Sequence, residues 1–461
     1  MKIKQSVQQL LHRYLDSDII PFSKICALFW PILFDTVSVA FMSVLSSSMV
    51  SSSGEEAVAA VNMVESVNLF FTNFYIAIAT GGTVVVAQYI GHQDHPAAGR
   101  ASAQALLSAL GLSLTIAISL IVFSSPVVHL LFGKAEPLVL EYGRTYLICC
   151  ALSYPFYAFY QVALGTLRGS GDTRASMVLS ILLNFTFLAG NFLLINVLKL
   201  GVLGSGISLI FCRLVISVLA MIYLLYKRRD LQIRLRSFLR FDPALQRSIL
   251  YIGLPTALEQ IFFHGGKIIT QTFVVSLGTV SMTANAVTNS LFNLILSPAS
   301  AVNVLVVTVV GYCIGAKRPE EGRRLLRSLA MAASVVHIGV SLLVLPLLQS
   351  LIGIYHVSPE AAAHITRCMF IVMVMIPLIW PFAFIVPSGL RAAGDARYTS
   401  LIALSSMWLV RVTLGYLLGI VLPWNVEGIW LAMCLEWVVR GTIFGIRLRG
   451  EKWYQHKLID N

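Results

Sequence analysis

The chain has 461 residues, of which 57% are hydrophobic and 12% are charged. Its mean hydropathy of +0.82 excludes an ordinary water-soluble globule, because soluble proteins carry roughly twice this share of charged residues. The formal net charge of +12 suits either a nucleic-acid-binding protein or a membrane protein, and the placement of the positive residues decides between them.

Long apolar runs recur along the chain, and each can cross a hydrocarbon core about 30 Å thick as a helix of about 20 residues. In chain order the predicted spans are 25–48, 56–90, 102–125, 142–166, 175–198, 201–226, 247–275, 280–313, 325–349, 362–389, 398–421 and 427–446. The runs are apolar on all sides, whereas the strands of a membrane barrel alternate. The sequence therefore predicts an all-α polytopic membrane protein with twelve transmembrane helices.

The positive residues fall almost entirely on one side of these spans. With the amino terminus in the cytoplasm, 26 of the 33 Lys and Arg residues lie on the cytoplasmic side and only Lys134 and Lys199 on the other. This is a strong positive-inside pattern, so the charge reflects membrane topology and nucleic acid is not an expected partner. Both termini are predicted to be cytoplasmic. Residues 1–20 lack a compact apolar core and a cleavage site, so a signal peptide is not predicted there.

The chain repeats itself at an offset of about 224 residues. Pro31 aligns with Pro255 and Asp35 with Glu259, and LRGSGDTR at 167–174 returns as LRAAGDAR at 390–397. Such a constant offset indicates a duplication. We predict a six-helix lobe over 1–226, a basic cytoplasmic linker over 227–247 and a second six-helix lobe over 248–461. Because six is an even number, the lobes should be related by a pseudo-twofold axis along the membrane normal.

The repeated octapeptide lies in the predicted cytoplasmic turn between the fourth and fifth helices of each half. Its charged members are Arg168, Asp172, Arg174, Arg391, Asp395 and Arg397. Glycine permits a tight turn, the aspartate can cap the following helix, and the arginines can bind the carbonyls that end the preceding one. We interpret these residues as structural turn residues and not as a substrate site, with an ion-pair network between the lobes as an additional role.

Charged side chains within the spans should face a cavity or a partner, since an isolated one costs from about 3 to more than 10 kcal/mol at mid-membrane. Asp35 and Glu259 occupy the same position of the two repeats, four residues after a proline. Each is interpreted either as a structural carboxylate or as the carrier of a coupling ion. His264 and Lys267 share the helix of Glu259 and form with it either a buried ion-pair network or, together with Asp35, the cation-coupling site.

Polar stripes mark the second and eighth helices, and Asn184 is a further polar residue in the fifth. The candidate cavity residues are Glu65, Asn68, Thr72, Asn184, Asn285 and Asn289. In the second helix their spacing of three and seven positions places them on one face. Such stripes line either a seam between helices or a wet cavity for substrate, and the sequence leaves both open.

The 167–174 turn followed by Asn184 and Asn191, the segment QYIGHQD at 88–94, GEEAVAAV at 54–61 and the duplication together resemble the multidrug and toxic compound extrusion (MATE) family. The resemblance implies a secondary antiporter of the bacterial inner membrane that acts as a monomer. Its two lobes would form a V-shaped cavity and rock between outward-open and inward-open states. Entry of H⁺ or Na⁺ would drive export of amphipathic organic compounds, with no other cofactor.

The chain departs from the family pattern at its charged positions. The first-helix acid of the family falls on Ser46, its second fifth-helix Asn on Phe187, and the seventh-helix Glu of some Na⁺-coupled members on His264; the tenth-helix acid falls near Trp380. Coupling is therefore expected at other carboxylates, with Glu259 first.

Two other classes of function, a flippase and an enzyme, can be compared with the same residues. The basic residues Arg213, Lys267 and Arg411 would suit the headgroup of a lipid-linked or anionic amphiphile, which makes a flippase the alternative. We find no phosphate-binding loop, no nucleophile motif and no metal-ligand spacing among the seven cysteines, so an enzyme is not predicted.

Overall fold

The computed structural model describes residues 15–50, 55–133, 135–233, 241–422, 424–456 and 458–459. Within these ranges the chain is almost entirely helical and has no strand. The prediction of an all-α membrane protein is therefore confirmed. The side chain of Ser46 lies outside the described part.

Twelve long helices, named here α1 to α12, follow one another through the described residues. They are α1 Phe22–Val50, α2 Glu55–Gly91, α3 His95–Val122, α4 Pro137–Gly169, α5 Thr173–Asn191, α6 Gly201–Ile222, α7 Pro243–Ser276, α8 Thr279–Gly315, α9 Pro319–Gly353, α10 Pro359–Trp380, α11 Ala396–Ser405 and α12 Asn425–Arg449. Turns of π-helix extend α5 (Phe192–Val197), α6 (Tyr223–Lys227), α10 (Pro381–Ile385) and α11 (Ser406–Val412).

Eleven segments of the described chain are long and apolar enough to cross a membrane. The exception among the twelve helices is α7, which has 34 residues but carries Glu259, His264 and Lys267 within it. The helix bearing the most candidate coupling residues is thus the one of the twelve that is not among these eleven segments.

Some predicted boundaries were wrong. The third helix begins at His95 and not at 102, because Asp94 caps it by accepting a hydrogen bond from the Ala97 backbone NH (2.9 Å), and its first turns are small and polar. The seventh helix begins at Pro243, so the last residues of the predicted 227–247 linker are helical. Residues 234–240 of that linker lie outside the described part.

The chain divides into two compact units, Trp30–Ala257 and Leu258–Asp460 together with Met1–Phe29. They are called here the N-terminal unit and the C-terminal unit. The N-terminal unit includes the first part of α7, where Ala257 packs with Ala77 and Ile78 in a buried cluster. The lobes predicted over 1–226 and 248–461 stay a prediction.

Candidate functional site

Both copies of the repeated octapeptide form a turn between two helices. The glycine of each turn has a positive φ, 83° at Gly171 and 101° at Gly394, a backbone conformation that favours glycine. Asp172 caps α5 by accepting a hydrogen bond from the Ala175 NH (3.2 Å). The expectation of a cap is wrong for Asp395, whose side chain accepts no capping hydrogen bond from α11.

In the N-terminal unit the turn arginine reaches the acid of α1. Arg168 Nη2 lies 2.8 Å from Asp35 Oδ2, and its Nε donates to Ser176 Oγ (3.3 Å). Asp35 is buried, whereas Arg168 is half-buried at the end of α4. The turn residue and the intramembrane acid, which the sequence presented as separate features, form one ion pair.

The C-terminal unit repeats this arrangement with one addition. Arg391 Nη1 lies 2.9 Å from Glu259 Oε2, and Ser400 Oγ donates to the same oxygen (2.9 Å). Arg440 Nη2 lies 3.5 Å from the other carboxylate oxygen. Arg440 is one of the 26 positive residues assigned above to the cytoplasmic side. In the structure it is buried in α12, where it also lies 4.0 Å from Glu436. Among the described residues, Glu259 therefore has two cationic partners where Asp35 has one.

The aspartates of the two turns are held by residues in the last turn of the sixth helix of each half or just after it. Tyr223 OH donates to Asp172 Oδ2 (2.9 Å), with Arg228 Nη1 3.5 Å from the same oxygen. Asp395 pairs with Arg447 Nε (2.7 Å) and with His456 Nε2 (3.2 Å). These ion pairs lie within one unit each, which indicates that they stabilise the turns of that unit.

Arg174 and Arg397, the last residues of the two octapeptides, have exposed side chains. Each belongs to the first turn of the helix that follows, α5 or α11. The exposure of Arg174 makes it a suitable control for the buried pair of the same turn.

A cavity of about 560 Å³ lies inside the N-terminal unit. Four charged side chains line it: Asp35, Glu65, Arg168 and Arg213. Its other polar walls include Asn68, Asn184, Gln161, Tyr146, Tyr157 and Tyr160. The volume lies within the range of about 300 to 1,000 Å³ that is usual for small-molecule sites.

The charges of the cavity are held differently from one another. Asp35 and Arg168 form an ion pair. Among the described residues, Glu65 accepts hydrogen bonds from the amide of Asn68 alone, whose Nδ2 lies 3.2 and 3.0 Å from its two oxygens. Arg213 donates to Ser153 Oγ (2.7 Å).

The guanidinium of Arg213 also stacks on an aromatic wall of the cavity, 4.3 Å from the ring centroid of Tyr157. A planar guanidinium over a tyrosine ring makes a cation–π contact. The sequence predicted Arg213 as an intramembrane base but not this tyrosine, which carried no charge and no spacing to mark it.

Three of the six predicted cavity residues line this cavity: Glu65, Asn68 and Asn184. Thr72 is buried, and its hydroxyl donates to the Leu69 carbonyl one turn back (3.0 Å). For α2, the cavity interpretation of the polar stripe agrees with this placement.

The stripe of α8 lies in the C-terminal unit. Asn285 Nδ2 donates to Gln271 Oε1 of α7 (3.1 Å), and its Oδ1 accepts from Trp430 Nε1 of α12 (3.1 Å). Asn289 donates to the Asn285 carbonyl (2.8 Å). These contacts are those of a seam between helices.

In the part of the chain that the structure describes, Glu259 forms its ion pairs with residues other than His264 and Lys267. The partners of that carboxylate are Arg391, Ser400 and Arg440, while Lys267 Nζ lies over the Phe263 ring at 5.8 Å. A buried ion-pair network on α7 is thus present, but its cations come from the turn and from α12.

Comparison with known proteins agrees with the duplication. The MatE family model matches residues 31–193 and 255–417, two segments that begin 224 positions apart, as in the repeat. The chain is 28% identical over 446 residues to the Uncharacterized transporter YisQ of Bacillus subtilis (94% of this chain, 96% of that protein). It is 22% identical over 393 residues to the Probable multidrug resistance protein NorM of Thermotoga maritima (83% and 82%). These relatives do not favour the alternative of a flippase.

Solved structures share the fold. One reported as "Outward-facing conformation of a multidrug resistance MATE family transporter of the MOP superfamily" superposes with a TM-score of 0.84 at 18% identity, covering 92% of this chain and 94% of that one. Another, "Crystal structure of MATE in the bent conformation", gives a TM-score of 0.86 at 18% identity, covering 95% and 96%. The family model, the length of the matches and the shared fold give one conclusion: the chain belongs to the MatE family of multidrug and toxic compound extrusion transporters.

Proposed function

We propose that the protein is a cation-coupled antiporter that exports amphipathic organic compounds by alternating access. The observation that carries this proposal is the ion pair of Asp35 and Arg168 in the wall of the cavity. An exchangeable carboxylate beside a substrate site is what coupling needs, because ion and substrate can then compete for one set of charges.

The ion pair also links the cavity to the α4–α5 turn. Arg168 leaves that turn to reach Asp35, so a proton or Na⁺ on Asp35 would remove the counter-charge that holds the arginine. The free energy of the arrangement then depends on occupancy of the acid. A ligand that favours one arrangement over another shifts the population between them.

Geometry favours Asp35 over Glu259 as the ion carrier, which reverses the order expected from the sequence. Glu259 is buried between Arg391 and Arg440 and accepts a further hydrogen bond from Ser400, so an ion bound there would have to displace these three contacts. Asp35 has a single arginine partner, and its Oδ1 has no hydrogen-bond partner in the described residues. We therefore place the exchanging ion at Asp35, with Glu65 as the second carboxylate of the cavity.

Transport into inverted proteoliposomes tests the proposal. Uptake of two fluorescent dyes, the cation rhodamine 123 and rhodamine 110, which carries a free carboxylate beside its cationic rings, is followed. It is measured first under a pH gradient, acidic inside, and then under a Na⁺ gradient at uniform pH. We expect one gradient to drive uptake and Asp35→Asn to reduce the driven rate by about tenfold or more, while dye binding in detergent is retained.

Glu320→Gln is the matched control, because Glu320 pairs with Arg323 at an exposed position. It should transport at the wild-type rate. Coupling would lie elsewhere if Asp35→Asn, and the double variant Asp35→Asn with Glu65→Gln, both showed gradient-driven transport at the wild-type rate.

A further inference from the structure

We propose that the substrate of the N-terminal cavity is zwitterionic, with a basic group that pairs with Glu65 and an acidic group that pairs with Arg213. This inference rests on the proposed export function and specifies the chemical class that is exported. It starts from two charged side chains of the cavity that form no ion pair among the described residues, Glu65 and Arg213.

Arg213 is the first of these charges. It is 5% exposed, and within the described part of the chain its side-chain contacts are the hydroxyl of Ser153 and the ring of Tyr157, with no ion pair to a carboxylate. A guanidinium stays protonated in proteins and presents five donors in a planar fork. A neutral hydroxyl and an aromatic face leave several donors available to a carboxylate, which the fork binds in bidentate fashion.

Glu65 carries the second of these two charges. Its carboxylate lines the cavity and accepts the amide of Asn68, and it forms no ion pair with a Lys, Arg or His among the described residues. A neutral amide does not cancel the charge. Glu65 therefore offers a counter-charge to a basic group in the same cavity.

The remaining two charges, Asp35 and Arg168, neutralise each other at 2.8 Å. What is left is one negative and one positive side chain, Glu65 and Arg213, that line one cavity without forming an ion pair together. A purely cationic ligand would compensate Glu65 and leave the buried arginine without an anion. A ligand with both charges compensates each of them, and the burial of Arg213 makes the pairing at the arginine selective.

The aromatic side chains that line the cavity suit an aromatic ligand. Tyr146, Tyr157 and Tyr160 line the cavity, and a volume of about 560 Å³ accommodates a tricyclic dye. Rhodamine 110, which carries a free carboxylate beside its cationic ring system, and its methyl ester rhodamine 123, which is a cation only, differ in the group that the proposal assigns to Arg213.

Fluorescence polarisation of the two dyes with purified protein in detergent tests the inference without any ion gradient. We expect the wild type to bind rhodamine 110 about tenfold more tightly than rhodamine 123, because the ester lacks the carboxylate that the Arg213 guanidinium would bind in bidentate fashion. Arg213→Gln should lower the affinity for rhodamine 110 to that for the ester, and the affinity for the ester should stay unchanged or rise. Glu65→Gln should weaken both dyes.

Arg213→Lys serves as the second variant if Arg213→Gln fails to fold. It keeps the charge without the fork, so the preference for rhodamine 110 should shrink but persist, and thermal unfolding checks the fold of each variant. Equal binding of the two dyes by the wild type, including no binding of either, overturns the proposal, as does equal weakening of both by the arginine variants. Because binding needs no gradient, these outcomes are separate from a failure of driven transport.

Discussion

Arg168 Nη2 and Asp35 Oδ2 lie 2.8 Å apart although the two residues are separated by 133 positions in the chain. Arg391 and Glu259, the equivalent residues of the second repeat, lie 2.9 Å apart across 132 positions. In both halves an arginine of the α4–α5 or α10–α11 turn is thus bound to a carboxylate in the first helix of that half. The duplication has preserved an ion pair as well as a turn.

Removing Arg168 should destabilise the protein more than removing its partner. In Arg168→Gln the buried Asp35 loses its only ion-pair partner in the described structure, a loss of about 3 kcal/mol for a buried pair. In Asp35→Asn the half-buried Arg168 keeps access to the water of the cavity. This substitution should therefore lower the free energy of unfolding by less. Thermal unfolding in detergent measures both, with Arg174→Gln, at the exposed arginine of the same turn, as the unaffected control. Equal effects in Arg168→Gln and Arg174→Gln would contradict a stabilising pair.

Glu259→Gln should lower stability more than Asp35→Asn. The change leaves two arginines without their shared carboxylate, and one of them, Arg440, is 3% exposed at its side chain. Breaking a buried network of this kind costs about 3 to 5 kcal/mol. The melting temperature and the folded yield after gel filtration report the loss. Glu320→Gln at an exposed pair should change neither, and a Glu259→Gln protein as stable as this control would show that Arg440 needs no counter-charge.

The two roles of Asp172 can be separated by its replacement. Asn retains the helix cap on the Ala175 NH but loses the charge that faces Arg228, whereas Ala loses both. We expect Asp172→Ala to be about 1 kcal/mol less stable than Asp172→Asn, the usual value of an N-cap. Dye affinity in detergent should be unchanged in both variants. A selective loss of dye affinity in the well-folded Asn variant would assign the turn to the substrate site instead.

Two glycines inside helices should respond oppositely to alanine. A Cβ at Gly81 of α2 would collide with the carbonyl oxygen of Ile249 in α7, whereas a Cβ at Gly111 of α3 meets no atom within 4 Å. Gly81→Ala should therefore destabilise by about 2 kcal/mol or more through overpacking. Gly111→Ala should leave stability unchanged or raise it by up to about 1 kcal/mol. Similar melting temperatures for the two variants would contradict the close approach of α2 and α7.

The positive-inside pattern predicts the side of the membrane on which each loop lies. In a background with the seven native cysteines replaced, Leu235→Cys should be labelled by an impermeant maleimide only after the cells are opened. Lys134→Cys, on the opposite predicted side, should be labelled in intact cells. Labelling of residue 235 in intact cells would reverse the proposed orientation of the linker and of both termini.

The sequence alone determined the fold class and the duplication. Apolar runs long enough to span a bilayer are a local property, and a repeat offset of 224, or 223 at the octapeptide, is visible where the two halves align, which is also where the family model matches. The glycine of each repeated turn was predictable for the same reason, since its conformation depends on a few neighbouring residues.

Only the tertiary structure decided which charges meet. Asp35 and Arg168, like Glu259 and Arg440, are far apart in the chain, and their contact depends on how two helices rotate and pack. One residue of helical phase changes the direction of a side chain by about 100°, so spacing within one helix could not show that Glu259 pairs with arginines outside α7 and not with Lys267. The same holds for the cavity, because Glu65 and Arg213 belong to different helices and lie in one cavity only after those helices have packed.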